Sequence, residues 1–188
     1  MRLVALSFIG CLLLAACAPS GSAASAAEAA TATLQALQAN DSAALAALVH
    51  PDKGVRFTPY SFVKPDIDVT LTPEGLQELA QSGEAILWGQ DEGPGQPIVL
   101  TLGAYLDRYA RDHDFAAAPD VLWNEPVDRG TMINNAAAIY PGAEIVEYHF
   151  PGFDPQYGGM DWRSLRLALE EKRGRWYVVG IIHDEWTP

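Results

Sequence analysis

Residues 163–186, RSLRLALEEKRGRWYVVGIIHDEW, restrict the fold more than any other stretch of this chain. Leu165, Leu167 and Leu169 alternate with Ser164, Arg166 and Glu170, the period of a strand with one buried face. The run WYVVGIIHDEW is apolar at both parities, which predicts a central strand covered on two sides. Between the two, only Gly174 readily takes a positive φ, so the sequence predicts a three-residue loop, Lys172 to Gly174, with the glycine left-handed. That register sets Glu171 opposite Arg175, Leu169 opposite Tyr177, Leu167 opposite Val179 and Leu165 opposite Ile181. Arg166 then faces Gly180, where the missing side chain leaves room for its bulk.

Upstream the pattern changes to helices. Leu34 and Leu37 mark a first helix, and Asp41 or Ser42 caps a second whose Leu45, Leu48 and Val49 share a face. His50-Pro51 ends it, because the residue before proline avoids helical geometry. Val55 and Phe57 alternate in a short strand, and Thr72-Pro73 opens a third helix that Gly83 stops. AILWG and QPIVL flank QDEGPG as a hairpin. Thr101 caps a further helix with Leu102, Tyr105, Leu106 and Tyr109 on its apolar face; Asp107 with Arg111, and Arg108 with Asp112, stand four apart on the wet side. Residues 116–143 show no clear period, and NNAAAIYPG reads either as a short helix or as a strand entering a turn. Helices first and an apolar antiparallel sheet running to the last residues make an α+β domain.

The opening MRLVALSFIGCLLLAACAPS has one basic residue, then an apolar run from Leu3 to Ala16 too short for a membrane-spanning helix of about 20 residues. Leu14-Ala15-Ala16-Cys17 resembles the lipobox of bacterial lipoproteins. The resemblance implies a signal peptide over 1–16, acyl chains on the Cys17 thiol and its new amino terminus, and a membrane-anchored protein outside the cytoplasm. In a cell with two membranes, Ala18, where an aspartate would resemble an inner-membrane retention signal, points to the periplasmic face of the outer membrane. Residues 17–27 read as the lipidated cysteine and a flexible tether, and 28–188 as a single domain. Of the two cysteines, Cys11 leaves with the leader and Cys17 becomes a thioether, so no disulfide is expected. A net charge of −12, with basic residues scattered, argues against a nucleic-acid partner and against a second, electrostatic hold on anionic lipid.

DSAALAALVHPDKGVRF resembles the helix-to-strand entry of the nuclear-transport-factor-2-like (cystatin-like) superfamily, whose helices cap a curved sheet to make a cone. The run from Val146 to Thr187 also resembles a group of uncharacterised secreted bacterial proteins. The superfamily resemblance implies a cone able to hold a small ligand. Some members, such as ketosteroid isomerase, use carboxyl groups raised in pKa by apolar walls. No residue-by-residue match to that enzyme is present.

Local chemistry singles out His149, His183 and Asp184 as acid-base candidates, with Asp154 and Asp161 nearby and the two histidines expected to share a sheet face. For binding it singles out Phe153, Tyr157 and Trp162 of the loop FPGFDPQYGGMDW, together with Trp88. That loop, with Met160, is too apolar to stay in water, so it is expected to pack back onto the domain, with a ligand-gating lip as the alternative. Neither His149, Asp154, Asp161 and His183 nor the run Asp112 to Asp114 has the spacing of a metal site, and the latter reads as a solvated helix end. No G-x-S-x-G elbow or phosphate loop is present, and no cofactor is expected. The resulting expectation is a binding domain for a small molecule or an envelope protein, without turnover; the alternative is a cone-shaped enzyme using a histidine and a carboxylate.

Overall fold

The computed structural model describes residues 23–187. Expectations for the leader and Cys17 lie outside the described residues. Helix α1 (Ala26–Gln38) is capped by the Ser25 side chain, which accepts from the Glu28 amide. Helix α2 (Ser42–Leu48) is capped by Asp41, which accepts from the Ala44 amide at 2.9 Å. The folded region therefore starts ahead of Glu28. Ala23 is buried, and its carbonyl accepts from the Trp176 amide at 3.1 Å, so residues 23–27 belong to the domain rather than to a tether.

Strand β1 (Val55–Thr58) is followed by the short β2 (Val69–Leu71), then α3 (Pro73–Ser82). Thr72 caps α3 by accepting from the Gly75 amide at 3.1 Å, and Gly83 ends it at φ 62°. Strands β3 (Ala85–Gln90) and β4 (Pro97–Thr101) pair as the expected hairpin and form a small sheet of their own. In α4 (Leu102–Tyr109) the Thr101 hydroxyl accepts from the Ala104 amide, and Leu102, Tyr105, Leu106 and Tyr109 are buried as their spacing requires. The segment without a period holds β5 (Asp120–Trp123) and a single helical turn, α5 (Ala136–Ile139). Then come β6 (Glu144–Phe150), β7 (Arg163–Lys172) and β8 (Arg175–Glu185). No helix among the described residues is long and apolar enough to cross a membrane.

The fold class is α+β: N-terminal helices pack on a curved, open six-stranded sheet of order β2-β1-β8-β7-β6-β5. The sheet is antiparallel except at one place, where β1 runs parallel to β8. One face carries Val55, Phe57, Val146, Leu165, Leu167 and Ile181 into the main core beneath α1, α2, α3 and α4. On the opposite face Ala168, Val179 and Ile182 meet Val63, Ala136 and Tyr140. Asn135 ties that cover together, its side-chain oxygen accepting from the Val63 amide at 2.8 Å and its nitrogen donating to the Val63 carbonyl at 2.9 Å. Strand β8 is thus covered on both sides, as its apolar run requires.

The β7–β8 register differs from the expected one. Arg173 takes the left-handed conformation (φ 54°) next to Gly174 (φ 78°), so the loop has two residues and Lys172 pairs with Arg175. A bulge then leaves Val179 without a cross-strand partner, between Leu169↔Val178 and Ala168↔Gly180. Each change moves the register by one residue. Beyond the bulge the two together restore the expected faces, with Leu167 opposite Ile181 and Arg166 opposite Ile182; between turn and bulge the single shift reverses them, so Val178 faces the main core with Leu169, and Val179 the opposite side.

The space over Gly180 is therefore not used by Arg166. It holds Tyr140, whose Cζ and Oη would both lie 2.7 Å from a methyl group added at Gly180. Gly180→Ala should accordingly lose about 1–3 kcal/mol, the usual cost of overpacking a filled site. A drop in the urea midpoint checks it; a midpoint within error of the parent's would show that Tyr140 is free to move away.

Candidate functional site

Cross-strand pairing decides which expected residues meet. His149 pairs with Ser164, which pairs with Asp184, so these three share a face. Tyr148, Leu165 and His183 form the next row, which points the other way. His149 and His183 therefore lie on opposite faces, and the expectation that they share one is corrected. Asp184 lies two strands from His149, roughly 10 Å at ordinary strand spacing, and does not orient it.

His183 has no solvent exposure, and its Nδ1 lies 3.2 Å from the Pro59 carbonyl oxygen. Its Nε2 is 3.6 Å from Oδ2 of Asp112, beyond an ordinary hydrogen bond, and has no other partner among the described residues. Asp112 also approaches Arg163 at 3.3 Å and His113 at 3.8 Å. Burial pushes the Asp112 carboxyl up, but these neighbours outweigh it and hold the pKa below the ordinary value. Asp112 is thus the partly buried centre of a charge cluster, whereas Asp114 at the same helix end is exposed as expected. Arg108, the expected partner of Asp112, instead reaches Glu185 at 2.5 Å, while Arg111 does pair with Asp107 as expected.

Asp184 belongs to a second buried cluster. Arg166, 1% exposed, donates from Nη2 to Glu147 at 3.0 Å and to Asp184 at 2.9 Å, and from Nη1 to the Ser61 hydroxyl at 3.0 Å. Arg129 donates from Nε to the same Glu147 oxygen at 3.0 Å. Burial raises the Asp184 pKa against the pull of Arg166; for Glu147, Arg166 and Arg129 overcome burial and leave the pKa lowered. Arg166 spans its direct neighbour on β6 and its diagonal neighbour on β8, a contact set by the register.

Beside this cluster opens a cleft of about 260 Å³ lined by Asp128, Arg129, Gly130, His149, Pro151 and Trp162. His149 Nδ1 lies 2.8 Å from the Ser164 hydroxyl oxygen, and its ring faces the indole of Trp162 at 5.9 Å. Burial and then Arg129 depress its pKa, so the ring is neutral at pH 7. No carboxylate is in ion-pair contact with it among the described residues. The cleft offers a guanidinium, a carboxylate, an imidazole and an indole, groups suited to recognition.

The aromatic loop divides. Phe153 stacks on His113 at 4.1 Å and meets Phe150 at 5.2 Å, and Trp162 is buried beside His149. Phe153, Tyr157 and Met160 nevertheless remain about half exposed, at 46%, 50% and 52%. Asp161 accepts from the Phe153 and Asp154 amides, and Asp154 from the Gln156 amide, so both acids organise the loop. Trp88 is a correction: it is fully buried, stacked on Tyr105 at 4.0 Å and edge-on to Phe57, with its Nε1 donating to the Leu100 carbonyl. This stack fills the space between helices and sheet where a cone ligand was expected. Among the described residues, no group of three or more His, Cys, Asp and Glu side chains is placed to hold a metal ion.

Sequence reasoning did not find Arg129, the role of Arg166 between Glu147 and Asp184, or Tyr140. The first two are signalled only by the register, and Tyr140 only by Gly180 in an otherwise apolar strand.

The chain matches no protein-family model and no curated protein. Among solved structures it is similar to an NTF2-like protein from Cytophaga hutchinsonii, at 15% identity and a TM-score of 0.36, over 85% of this chain and 93% of that one. So distant a likeness carries nothing about chemistry.

Proposed function

We propose that this chain is a lipid-anchored extracytoplasmic domain that binds a small molecule without converting it, in the cleft between Arg129, His149 and Trp162. The lipobox-like Leu14-Ala15-Ala16-Cys17 supports the anchor, and Ala18 supports the outer membrane in a cell with two membranes. The observation that carries binding over catalysis is the separation of the acid-base groups. His183 and Asp112 approach each other, but His183 has no exposure to solvent. His149 borders solvent space, but its ring contacts a serine and an indole; among the described residues it forms no ion pair with Asp128 of the same cleft or with its cross-strand neighbour Asp120, and its expected carboxylate is two strands away. General acid-base catalysis needs both properties at one place.

Native mass spectrometry of protein purified from the cell envelope tests this reading. The parent should retain a low-mass ligand. Replacing His149 by alanine removes one hydrogen-bonding group, a loss of about 0.5–1.5 kcal/mol that should lower affinity roughly two- to tenfold. A parent without ligand, or a His149→Ala variant with undiminished occupancy, would sink the assignment.

A further inference from the structure

Arginines that are not exposed should hold a counter-charge, because a desolvated guanidinium is costly alone. Among the described residues Arg111, Arg129, Arg163 and Arg166 obey this, each holding a carboxylate. Arg56 does not. It is half-buried on β1, its Nε is shielded from solvent without a hydrogen-bond partner, and no carboxylate is in ion-pair contact with it among the described residues. Two carboxylates lie near without pairing with it: Asp68, whose pKa burial raises and Arg56 pulls down, and Glu170, which lines the same cleft but is held by Lys53.

The strand row through Arg56 explains what surrounds it. Thr70 on β2 and Gly180 on β8 are its cross-strand neighbours. The bare Gly180 admits the Tyr140 ring, which brings the phenol beside the Arg56 guanidinium. Tyr140 is 6% exposed, and its Oη is buried without a hydrogen-bond partner among the described residues. Burial pushes its pKa up to about 12 in spite of Arg56, so it stays a neutral donor at pH 7. Both groups line a cleft of about 200 Å³, together with Thr70 and the Lys53–Glu170 ion pair, whose charges cancel. Ile139, Pro141 and Val179 form its apolar part.

We infer that this cleft binds a small organic anion, its oxyanion head on Arg56 and the Tyr140 hydroxyl and a short apolar body against Ile139, Pro141 and Val179. The head supplies the missing counter-charge and accepts the unused phenolic hydrogen. The apolar wall selects a carboxylate with a hydrocarbon tail over a bare inorganic ion. This site is separate from the His149 cleft and stands if that assignment fails.

Calorimetric titration of the full-length protein in detergent tests it, with sodium butyrate, inorganic phosphate and, as the charge-reversed control, butylammonium. Butyrate should saturate a single site, phosphate should bind more weakly, and butylammonium should give no saturable heat. A charge-assisted hydrogen bond contributes about 1.5–3 kcal/mol, so Arg56→Gln should weaken butyrate roughly tenfold to a hundredfold. Tyr140→Phe keeps the ring over Gly180 and removes only the donor, so it tests the site even if the Arg56 variant does not fold; it should weaken butyrate roughly two- to tenfold. The inference is overturned if neither anion saturates the parent, if phosphate or butylammonium binds as well as butyrate, or if the folded variants bind butyrate as the parent does.

Discussion

Arg166→Ala should destabilise the domain by about 3–5 kcal/mol, the cost of leaving buried charges without their partner. The guanidinium is the shared donor to Glu147, Asp184 and Ser61, and its removal strands two carboxylates that are 2% and 1% exposed. Arg129 still reaches Glu147, but nothing else among the described residues forms an ion pair with Asp184. The pH dependence separates this account from simple loss of packing. In the parent the Glu147 pKa lies below the ordinary 4.5, so its contribution is present above that value and is lost as pH falls through the lower folded pKa. Asp184 lies above the ordinary 3.8, so its contribution is complete below that value and fades as pH rises through the raised one. Removing Arg166 raises both folded pKa values. Acidification then relieves the variant by protonating its stranded acids, while it weakens the parent at Glu147. Urea unfolding at pH 7 and at about pH 4.5 should show the gap between parent and variant narrowing on the acid side. A gap that stays constant with pH, or is below about 1 kcal/mol at neutrality, would mean that the cluster contributes only volume.

What was legible in the sequence was what short-range chemistry decides. Thr72, Thr101 and Asp41 cap their helices because a cap needs only its own side chain and an amide three residues on. Tyr105 and Tyr109 are buried because helical spacing alone places them on the apolar face. The candidate site was less legible because it depends on register. Arg173 in a left-handed turn and Val179 in a bulge carry no local signal, yet they set Arg166 between Glu147 and Asp184 and leave Gly180 to Tyr140. The separation of His149 from His183 required counting residues across two hairpins, and an odd offset reverses the answer. Asp112 read as solvated because nothing nearby in sequence announces His183 and Arg163, which come from β8 and β7.

Cys17→Ser should move the protein wholly from the membrane to the soluble extracytoplasmic fraction. Under the lipid-anchor proposal each buried methylene contributes about 0.8 kcal/mol, and one acyl chain alone holds only marginally, so firm attachment needs the two or more chains that a lipidated amino-terminal cysteine carries. No helix among the described residues can cross a bilayer, and a net charge of −12 gives no basic surface to hold anionic headgroups. The bonding of Ala23 to Trp176 sharpens the expectation. Between positions 17 and 23 the backbone reaches at most about 20 Å even when fully extended, so the anchored domain is held close to the lipid surface. Acidic groups that close to anionic lipid are repelled, so under this proposal loss of the thiol should release the protein completely. Metabolic labelling with a fatty-acid analogue and fractionation of parent and variant check this. The parent should carry label and resist high-salt extraction, whereas the variant should carry none and appear soluble without extraction. A variant that stays with membranes, beside a parent that never takes up label, would show that Cys17 is not the anchor and that attachment comes from a surface of the folded domain.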